Sequence, residues 1–428
     1  MAKSICFYFQ VHQPFRIREH QLRFPPENHD YFKGGTPQSN EEIFEKVSHK
    51  CYLPTTELLK ELCDQYPNFH CAFSLSGVFV EQCENYKRPG EAVLEKFRAL
   101  AETGKVEFLA ETYYHSLSFL YSKAEFAKQV TMQRDKMLQH FNQKPQVFRN
   151  TELIYRDDLG EFVRLMGYKG VMAEGWANAL PDENPNLLRH AHSIELGADD
   201  FAVAQAHSIS EKPEDHMKVL TKNYKLSDDI AFRFSQTTRS EMPLTADTFA
   251  QWVDECPGDT VNLFMDFETF GEHQWEDTGI FEFLRHLPRA CADRDIMFRT
   301  PSQTIDYFEA QNNYKATEFI SWADEERDIS AWLENDMQRN AFNEISRIEG
   351  KLFAHLQTKD EALKAAMADF RKLQTSDHLY YMSTKFWADG DVHTYFSPYE
   401  NPYDAYINYM NTIHHLDWRI DLLLENQG

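Results

Sequence analysis

The sequence is short of positive charge, of paired cysteines and of long apolar runs, and each shortage closes a class of protein. Lys and Arg number 44 against 68 Asp and Glu, a formal net charge of -24, and no basic run forms a phosphate-binding stripe. No nucleic-acid partner is therefore expected. No apolar stretch is long enough to span a bilayer, so no membrane is expected either. The start, MAKSICFYFQVHQPF, has neither an apolar signal region nor a small-residue cleavage site. The seven cysteines, at 6, 51, 63, 71, 83, 256 and 291, contain no CxxC pair, and their odd count fits reduced core thiols better than a disulfide framework. A cytoplasmic location is the expectation. Among 18 His no two lie three or four apart, so HxxxH and HExxH are missing.

What is present is a large core. The 428 residues are 42% hydrophobic and 26% charged, enough for one large domain with an appended one, or for two. Aromatics are plentiful: 33 Phe, 20 Tyr and 7 Trp, more than a core of this size needs, so some are candidate sugar-stacking platforms.

Seven short β-type runs alternate with helical segments: 5–11, 69–75, 105–110, 145–149, 169–173, 229–235 and 260–267. One unit reads in detail. After VFRNTELIY, Asp158 and Glu161 form a D-x-x-E capping signal, EFVRLM carries helical periodicity, and Gly167 closes the helix before YKGVMAEG resumes a strand. Strand, helix, strand implies a parallel pair with a crossover, and its repetition gives an α/β barrel or a doubly wound sheet. Beyond about residue 320 the pattern becomes helical. Met337, Ala341, Ile345, Ile348, Leu352 and Leu356 recur three or four apart, as do Leu363, Met367, Phe370 and Leu373. A third helix opens with Asn401 as N-cap and Pro402 at its first position, running through Ile407, Met410, Ile413, Leu416, Ile420 and Leu423. The expected division is a barrel over 1–315 and a helical region over 316–428 packed on it, with no oligomeric state implied.

In a parallel barrel the functional groups sit at the C-terminal ends of the strands. Those ends carry His12 and Gln13, then Glu111, Tyr114 and His115, then Arg149 and Glu152, then Glu174 and Trp176, and finally Asp266, Glu268, Glu272, His273 and Trp275. Five strand ends offering acids, His and Trp describe a polar, acidic pocket. Such a set serves a glycosidase, in which one carboxylate faces an oxocarbenium-like centre and a protonated acid serves the leaving oxygen, or a metal hydrolase. The His spacing counts against the second. In FMDFETFGEH, Asp266 and Glu268 fall on one face of an extended chain, where mutual repulsion raises the pKa of one; period two alone does not choose between them.

At these residues the chain resembles glycoside hydrolase family 57, a family of α-glucan-active enzymes. The motifs occur in the family's order: HQP near the start, GKVEFLAETYYHS at 104–116, FRNTELIY at 148–155, FMDFETFGEHQW at 264–275 and AWLENDMQ at 331–338. The resemblance implies an incomplete (β/α)7 barrel followed by a helical bundle, and a retaining mechanism with no metal or organic cofactor. It places the nucleophile on Glu152 and the acid/base on Asp266, with Glu268 supporting. Their carboxyls are then expected roughly 5 to 6 Å apart. It implies substrate contacts for His12 and His115, and brings Trp332 and Asp336 to the pocket from the helical region. Glu111, Arg149, Trp176, His273 and Trp275 complete the expected substrate-binding set.

The third motif lacks Trp-rich flanks and the chain is shorter than the family's branching enzymes, which favours the α-amylase-like branch acting on maltodextrin or glycogen. A 4-α-glucanotransferase using the same carboxylates, a non-catalytic carbohydrate-binding relative and a metal-dependent deacetylase-like barrel are the alternatives. The aromatic segment 377–406 is read either as a packing seam, the favoured reading, or as a subsite wall.

Overall fold

The segment Ser4–Val11 is apolar on both faces and buried throughout, as a strand covered on each side must be. In the computed structural model, which describes residues 3–19, 25, 29–33, 39–236, 244–355, 358–385 and 397–425, it forms the first strand, β1. The others are β2 (Cys71–Leu75), β3 (Val106–Phe108), β4 (Val147–Arg149), β5 (Gly170–Glu174), β6 (Arg189–Ala191), β7 (Lys218–Lys222), β8 (Thr260–Asp266), β9 (Met297–Arg299) and β10 (Asn313–Tyr314).

One sheet runs in the order β3-β2-β1-β8, all parallel, with Tyr8 opposite both Ala72 and Phe264. Strand β9 pairs with the first three residues of β1, before its pairing with β2 begins. The second sheet runs β10-β6-β7-β5-β4, in which β4, β5 and β7 are parallel and β6 is antiparallel to β7. Two seams join them. Ala110, just past β3, bridges to β4 through Ala110 N to Val147 O at 3.0 Å and Arg149 N to Ala110 O at 2.8 Å. Just past β7, Asn223 N donates to Asn262 O of β8 at 2.9 Å, and the Asn262 side chain donates to Thr221 O at 2.8 Å. The seven parallel strands β1, β2, β3, β4, β5, β7 and β8 thus form an incomplete (β/α)7 barrel, with a helical region after it.

The two-residue repeat of a strand sorts the side chains. Tyr8, Ala72, Leu109, Val147, Met172, Leu220 and Phe264, one from each strand or its end, pack together inside. Ile305 and Phe308, in and just after the helix Pro301–Tyr307, join this inner cluster. The alternate residues, such as Phe7, Phe9, Phe73 and Met265, face the helices outside.

Several expectations needed correction. The run 229–235 is no strand: Tyr224–Ala231 is a helix whose N-cap, Asn223, accepts from Leu226 N at 3.1 Å, and the sixth barrel strand is Lys218–Lys222 instead. The helix Asp157–Leu165 begins at Arg156, so Asp158 and Glu161 do not form its cap; Asp158 pairs with Arg156, while Asp157 accepts from Ala316 N. Gly167 does end that helix, with a left-handed φ of 93°.

The helical region comprises Ser330–Leu333, Asp336–Phe353, Glu361–Leu373, Ser376–Tyr380 and Pro402–Glu425. Ala341, Ile345, Ile348, Leu352, Leu363, Met367, Phe370 and Leu373 are buried as their spacing predicts, and Asn401 caps the last helix through Tyr403 N and Asp404 N. Ile407 is exposed, its expected core place taken by Ala405 and Tyr409, and Leu356 lies outside the described residues. Ile17, Tyr31, Leu117 and Ile154, from segments between the barrel strands, share this core, so the helices rest on the barrel.

Because Asn262 ties β8 to β7, the volume-matched change Asn262→Leu, which leaves the buried Thr221 carbonyl without that donor, is expected to destabilise the protein by about 1–3 kcal/mol. Thermal or denaturant unfolding checks this; an unchanged midpoint refutes the importance of the seam.

Candidate active site

One step beyond the inner apolar ring, every barrel strand turns polar. The residues two places on are Gln10, Ser74, Glu111, Arg149, Glu174, Lys222 and Asp266, all buried except for the partly buried Asp266. From β3 to β8 the ring alternates in sign: Glu111, Arg149, Glu174, Lys222, Asp266. Arg149 lies 3.9 Å from Glu111, and Lys222 lies 3.9 Å from Glu174. Above this ring opens a cleft of about 560 Å³.

Glu152 enters the cleft from a short 3-10 turn after β4, with its backbone and that of Leu153 left-handed at φ 56° and 52°. Non-glycine residues adopt this conformation only where their surroundings hold them there. Two donors grip the carboxylate: His115 Nε2 at 2.8 Å from Oε1, and Trp322 Nε1 at 2.6 Å from Oε2. Burial alone would raise the Glu152 carboxyl, but the His115 hydrogen bond and charge, then Arg149 and Trp322, hold it below the ordinary range. His115 is buried and carries the Glu111 carboxylate on its other nitrogen at 3.3 Å. Burial opposes its charge, yet Glu111 and Glu152 together push it up to about 9, so it is an imidazolium at neutral pH.

Asp266 ends β8 on the inward face. Burial, and next the charge of Glu152, push its carboxyl up to about 6 against the pull of Arg149, Lys222 and His115. Glu268 lies in the 3-10 turn Phe267–Thr269, past the point where alternation holds, and accepts the Tyr52 hydroxyl at 2.5 Å. Burial and the charge of Asp266 raise it to about 8. The turn continues through Gly271, left-handed at φ 108°, where a Cβ would collide with the Lys50 carbonyl. Beyond it Glu272 is drawn away from the cleft, paired to Lys46 at 2.8 Å and Lys50 at 3.2 Å.

On the far wall, His12 stacks on His115 with ring centroids 4.1 Å apart. Burial and that neighbour hold His12 below its usual value, so it is a neutral ring that donates from Nε2 to Asp377 Oδ2 at 3.0 Å and accepts the Ser76 hydroxyl at Nδ1. The Asp377 carboxyl, for which burial is outweighed by His12, lies well below the usual carboxylate range. Asp377, Tyr380, Tyr381 and Trp332 bring the helical region into the cleft wall.

Of the residues expected from sequence, His12, Glu152, Asp266, Glu268, His273 and Trp332 line the cleft, and Glu111, His115 and Arg149 stand directly behind Glu152. Three are not brought to it. Trp176 follows the turn at Gly175 and packs outward against the cluster around β4 and β5. Trp275 is 56% exposed, its indole N–H on Glu272 O. The Asp336 side chain is 99% exposed and paired with Arg339. Lys222, Trp322 and Asp377 escaped the sequence reading. Lys222 closes an unrecognised strand, Trp322 lies in the segment leading into the helices, and Asp377 lies in the five-residue helix Ser376–Tyr380, too short for periodicity to mark it. Tyr380 and Tyr381 make the start of 377–406 a cleft wall, whereas Tyr399 packs on Tyr381; residues 386–396, including Phe386, Trp387, Tyr395 and Phe396, lie outside the described residues.

A barrel cleft that sets a carboxyl held below its ordinary range against one raised to about 6 has the groups that acid–base chemistry needs. The profile described as Glycosyl hydrolase family 57 matches residues 6–321. A Methanocaldococcus jannaschii protein named "Putative alpha-amylase" is 40% identical over 98% of this chain and 85% of its own length. The chain belongs to glycosyl hydrolase family 57 and is a glycoside hydrolase. Its fold is similar to that of the 4-alpha-glucanotransferase of Thermococcus litoralis (TM-score 0.62, 16% identity, 96% of this chain but only 60% of that one). It is similar also to the branching enzyme of Thermococcus kodakaraensis (TM-score 0.62, 14% identity, 97% of this chain and 90% of that one) and to the alpha-amylase AmyC of Thermotoga maritima (TM-score 0.54, 14% identity, 99% and 98%).

Trp322→Phe removes one donor from Glu152 while keeping most of the ring. The Glu152 pKa is expected to rise by about one unit, since a hydrogen bond to a charged group contributes roughly 1.5 kcal/mol. With Glu152 as the expected nucleophile, the acidic limb of the kcat/KM profile is expected to move to higher pH; a superimposable profile would refute that expectation.

Proposed function

We propose that the protein is a retaining α-glucan hydrolase of the α-amylase kind, which cleaves α-1,4 bonds of maltodextrin or glycogen-type chains with Glu152 as nucleophile and Asp266 as acid/base. The observation that carries this reading is the opposite displacement of the two carboxyls: Glu152 is held below its ordinary range by His115, Arg149 and Trp322, and Asp266 is raised to about 6 by burial and by Glu152 itself. Asp266 delivers its proton to the glycosidic oxygen as that bond to the anomeric carbon breaks, and a Glu152 oxygen forms the glycosyl ester. Burial is the larger cause of the raised Asp266 carboxyl, but esterification removes the Glu152 charge and with it the part of the rise that repulsion supplies. The Asp266 pKa therefore falls at the moment when it must turn from acid to base, take a proton from water and release the sugar. Glu268, raised to about 8 and bonded to Tyr52, keeps its own proton and limits the negative charge beside Asp266.

His12, neutral and paired with Asp377, offers with it a polar edge for sugar hydroxyls, and Trp332, Tyr380 and Tyr381 offer aromatic surface. His273 lines the opposite edge. The name of the 40% identical relative supports the α-amylase branch. In this reading residues 1–315 are the catalytic barrel and 316–428 a helical region that completes its cleft. The seven free cysteines suit a cytoplasmic enzyme. Among the described residues no helix is long and apolar enough to cross a membrane, and no three His, Cys, Asp or Glu side chains are grouped to hold a metal ion.

With maltoheptaose, the expected result is shorter oligosaccharides with a matching gain in reducing ends. Disproportionation without that gain would make the enzyme a 4-α-glucanotransferase. Glu152→Gln is expected to lose at least about 10³-fold in kcat, and wild-type activity in this variant would refute the nucleophile.

Asp266→Asn should lose about 10²–10⁴-fold on maltoheptaose but far less on a maltosyl fluoride, whose leaving group needs no proton. Equal losses on both substrates would remove Asp266 as the acid.

Since the acid must hold its proton, kcat/KM should fall as pH rises through about 6. On the acidic side it should fall only below the ordinary carboxylate range, where Glu152 protonates. The pH profile measures both limbs.

A further inference from the structure

Glu174 is a fully buried carboxylate at the end of β5 with no part in the chemistry above. Its Oε1 accepts the Gly175 amide at 2.7 Å, and its Oε2 faces Arg327 Nη1 at 3.3 Å and Lys222 Nζ at 3.9 Å. Both cations touch Trp322. Arg327 Nη1 donates to the Trp322 carbonyl at 2.7 Å, and Lys222 Nζ lies 5.1 Å from the indole ring, with the Arg149 guanidinium at 5.0 Å. Trp322 is in turn bonded twice to Glu152, by its backbone N–H to the Glu152 carbonyl at 3.2 Å and by its indole N–H to the carboxylate.

The segment carrying Trp322 has no regular structure to hold it. It is closed by Ser321 N to Arg327 O at 3.0 Å and by the Ser321 hydroxyl to Asp328 O at 2.6 Å. Asp324 and Arg327 both adopt left-handed backbone, φ 53° and 55°, a conformation that non-glycine residues keep only when fixed from outside. Lys385 Nζ holds the middle of the segment, at 3.3 Å from Asp324 and 3.1 Å from Glu326, and the Arg327 guanidinium holds the end beside Trp322, where it also meets Asp228 at 3.7 Å and lies over the Tyr224 ring at 5.1 Å.

We propose that Glu174 and Arg327 are positioning residues, which lock the 321–328 segment so that the Trp322 indole is held against Glu152. The inference rests on the reading of Glu152 as nucleophile and extends it from the groups that grip the carboxylate to those that set the grip. The other groups facing Glu152 are His115, Arg149 and Asp266. Those facing Glu174 are Lys222, Arg327 and Asp228.

The test is a double-mutant cycle between Arg327→Met and Trp322→Phe, followed by kcat, KM and the pH profile on maltoheptaose, with thermal melts confirming that each variant is folded. Arg327→Met alone is expected to lower kcat about tenfold with KM within about twofold, and to move the acidic limb upward by about half a unit. In the Trp322→Phe background it is expected to add nothing, because the indole through which it acts no longer donates. A loss of charge acting through space would be the same in both backgrounds. Equal effects in the two backgrounds, or wild-type kcat and acidic limb in Arg327→Met, overturn the proposal. Should Arg327→Met fail to fold, the near-isosteric Glu174→Gln carries the same comparison, with the same kcat loss expected and the same non-additivity with Trp322→Phe. Retained activity in Glu152→Gln would overturn the nucleophile reading and this proposal with it. Failure of the cycle alone overturns only the positioning role.

Discussion

The arrangement of this molecule depends on one constraint: a ring of alternating charge buried on top of a ring of apolar side chains. A lone charge at that depth would be driven to neutrality. Glu111, Arg149, Glu174, Lys222 and Asp266 tolerate it because each has a neighbour of opposite sign on the next strand. The last member is the exception. Asp266 has Lys222 on one side, but it also faces the charge of Glu152, which rises into the cleft from the turn after β4. At Asp266 burial and the charge of Glu152 therefore outweigh the ring's compensation, and its carboxyl is raised to about 6.

This explains why the polar groups around Glu152 are donors rather than further acids. His115 and Trp322 satisfy both oxygens of Glu152, and the positive charge of His115 is itself sustained by Glu111 behind it. The order Glu111, His115, Glu152 is a line of alternating sign running from the barrel wall to the cleft. The proton affinities of His115 and Glu152 are therefore set by one another rather than independently.

The ring was largely legible in the sequence because a strand reports its own faces. Counting in twos from the inward apolar residues Tyr8, Leu109, Val147, Met172 and Phe264 reaches Gln10, Glu111, Arg149, Glu174 and Asp266 while the backbone stays extended. Legibility ended where the chain turns. Trp176 and Trp275 stand close to strand ends in sequence, yet the turns at Gly175 and at 267–274 carry them to other surfaces, and Glu268 reaches the cleft through a 3-10 turn rather than by alternation. Lys222 was hidden because a five-residue strand with Lys at both ends reads as surface, while the neighbouring 229–235 segment alternates like a strand and is largely a capped helix and the turn after it. Trp322 and Asp377 could not be found by period at all. Their positions follow from tertiary packing, and no local pattern of two or of 3.6 marks them.

That last group has a bearing on how the enzyme is made. Every strand of the barrel lies before residue 315, so the sheet can be complete on the ribosome while the residues that grip Glu152 from the far side are still unmade. Until Trp322 emerges one oxygen of Glu152 has no indole partner, and until Asp377 follows His12 has no carboxylate. Without those later residues the cleft of the barrel is unfinished. The cleft is therefore complete only when the segments that follow residue 315 have docked on the barrel.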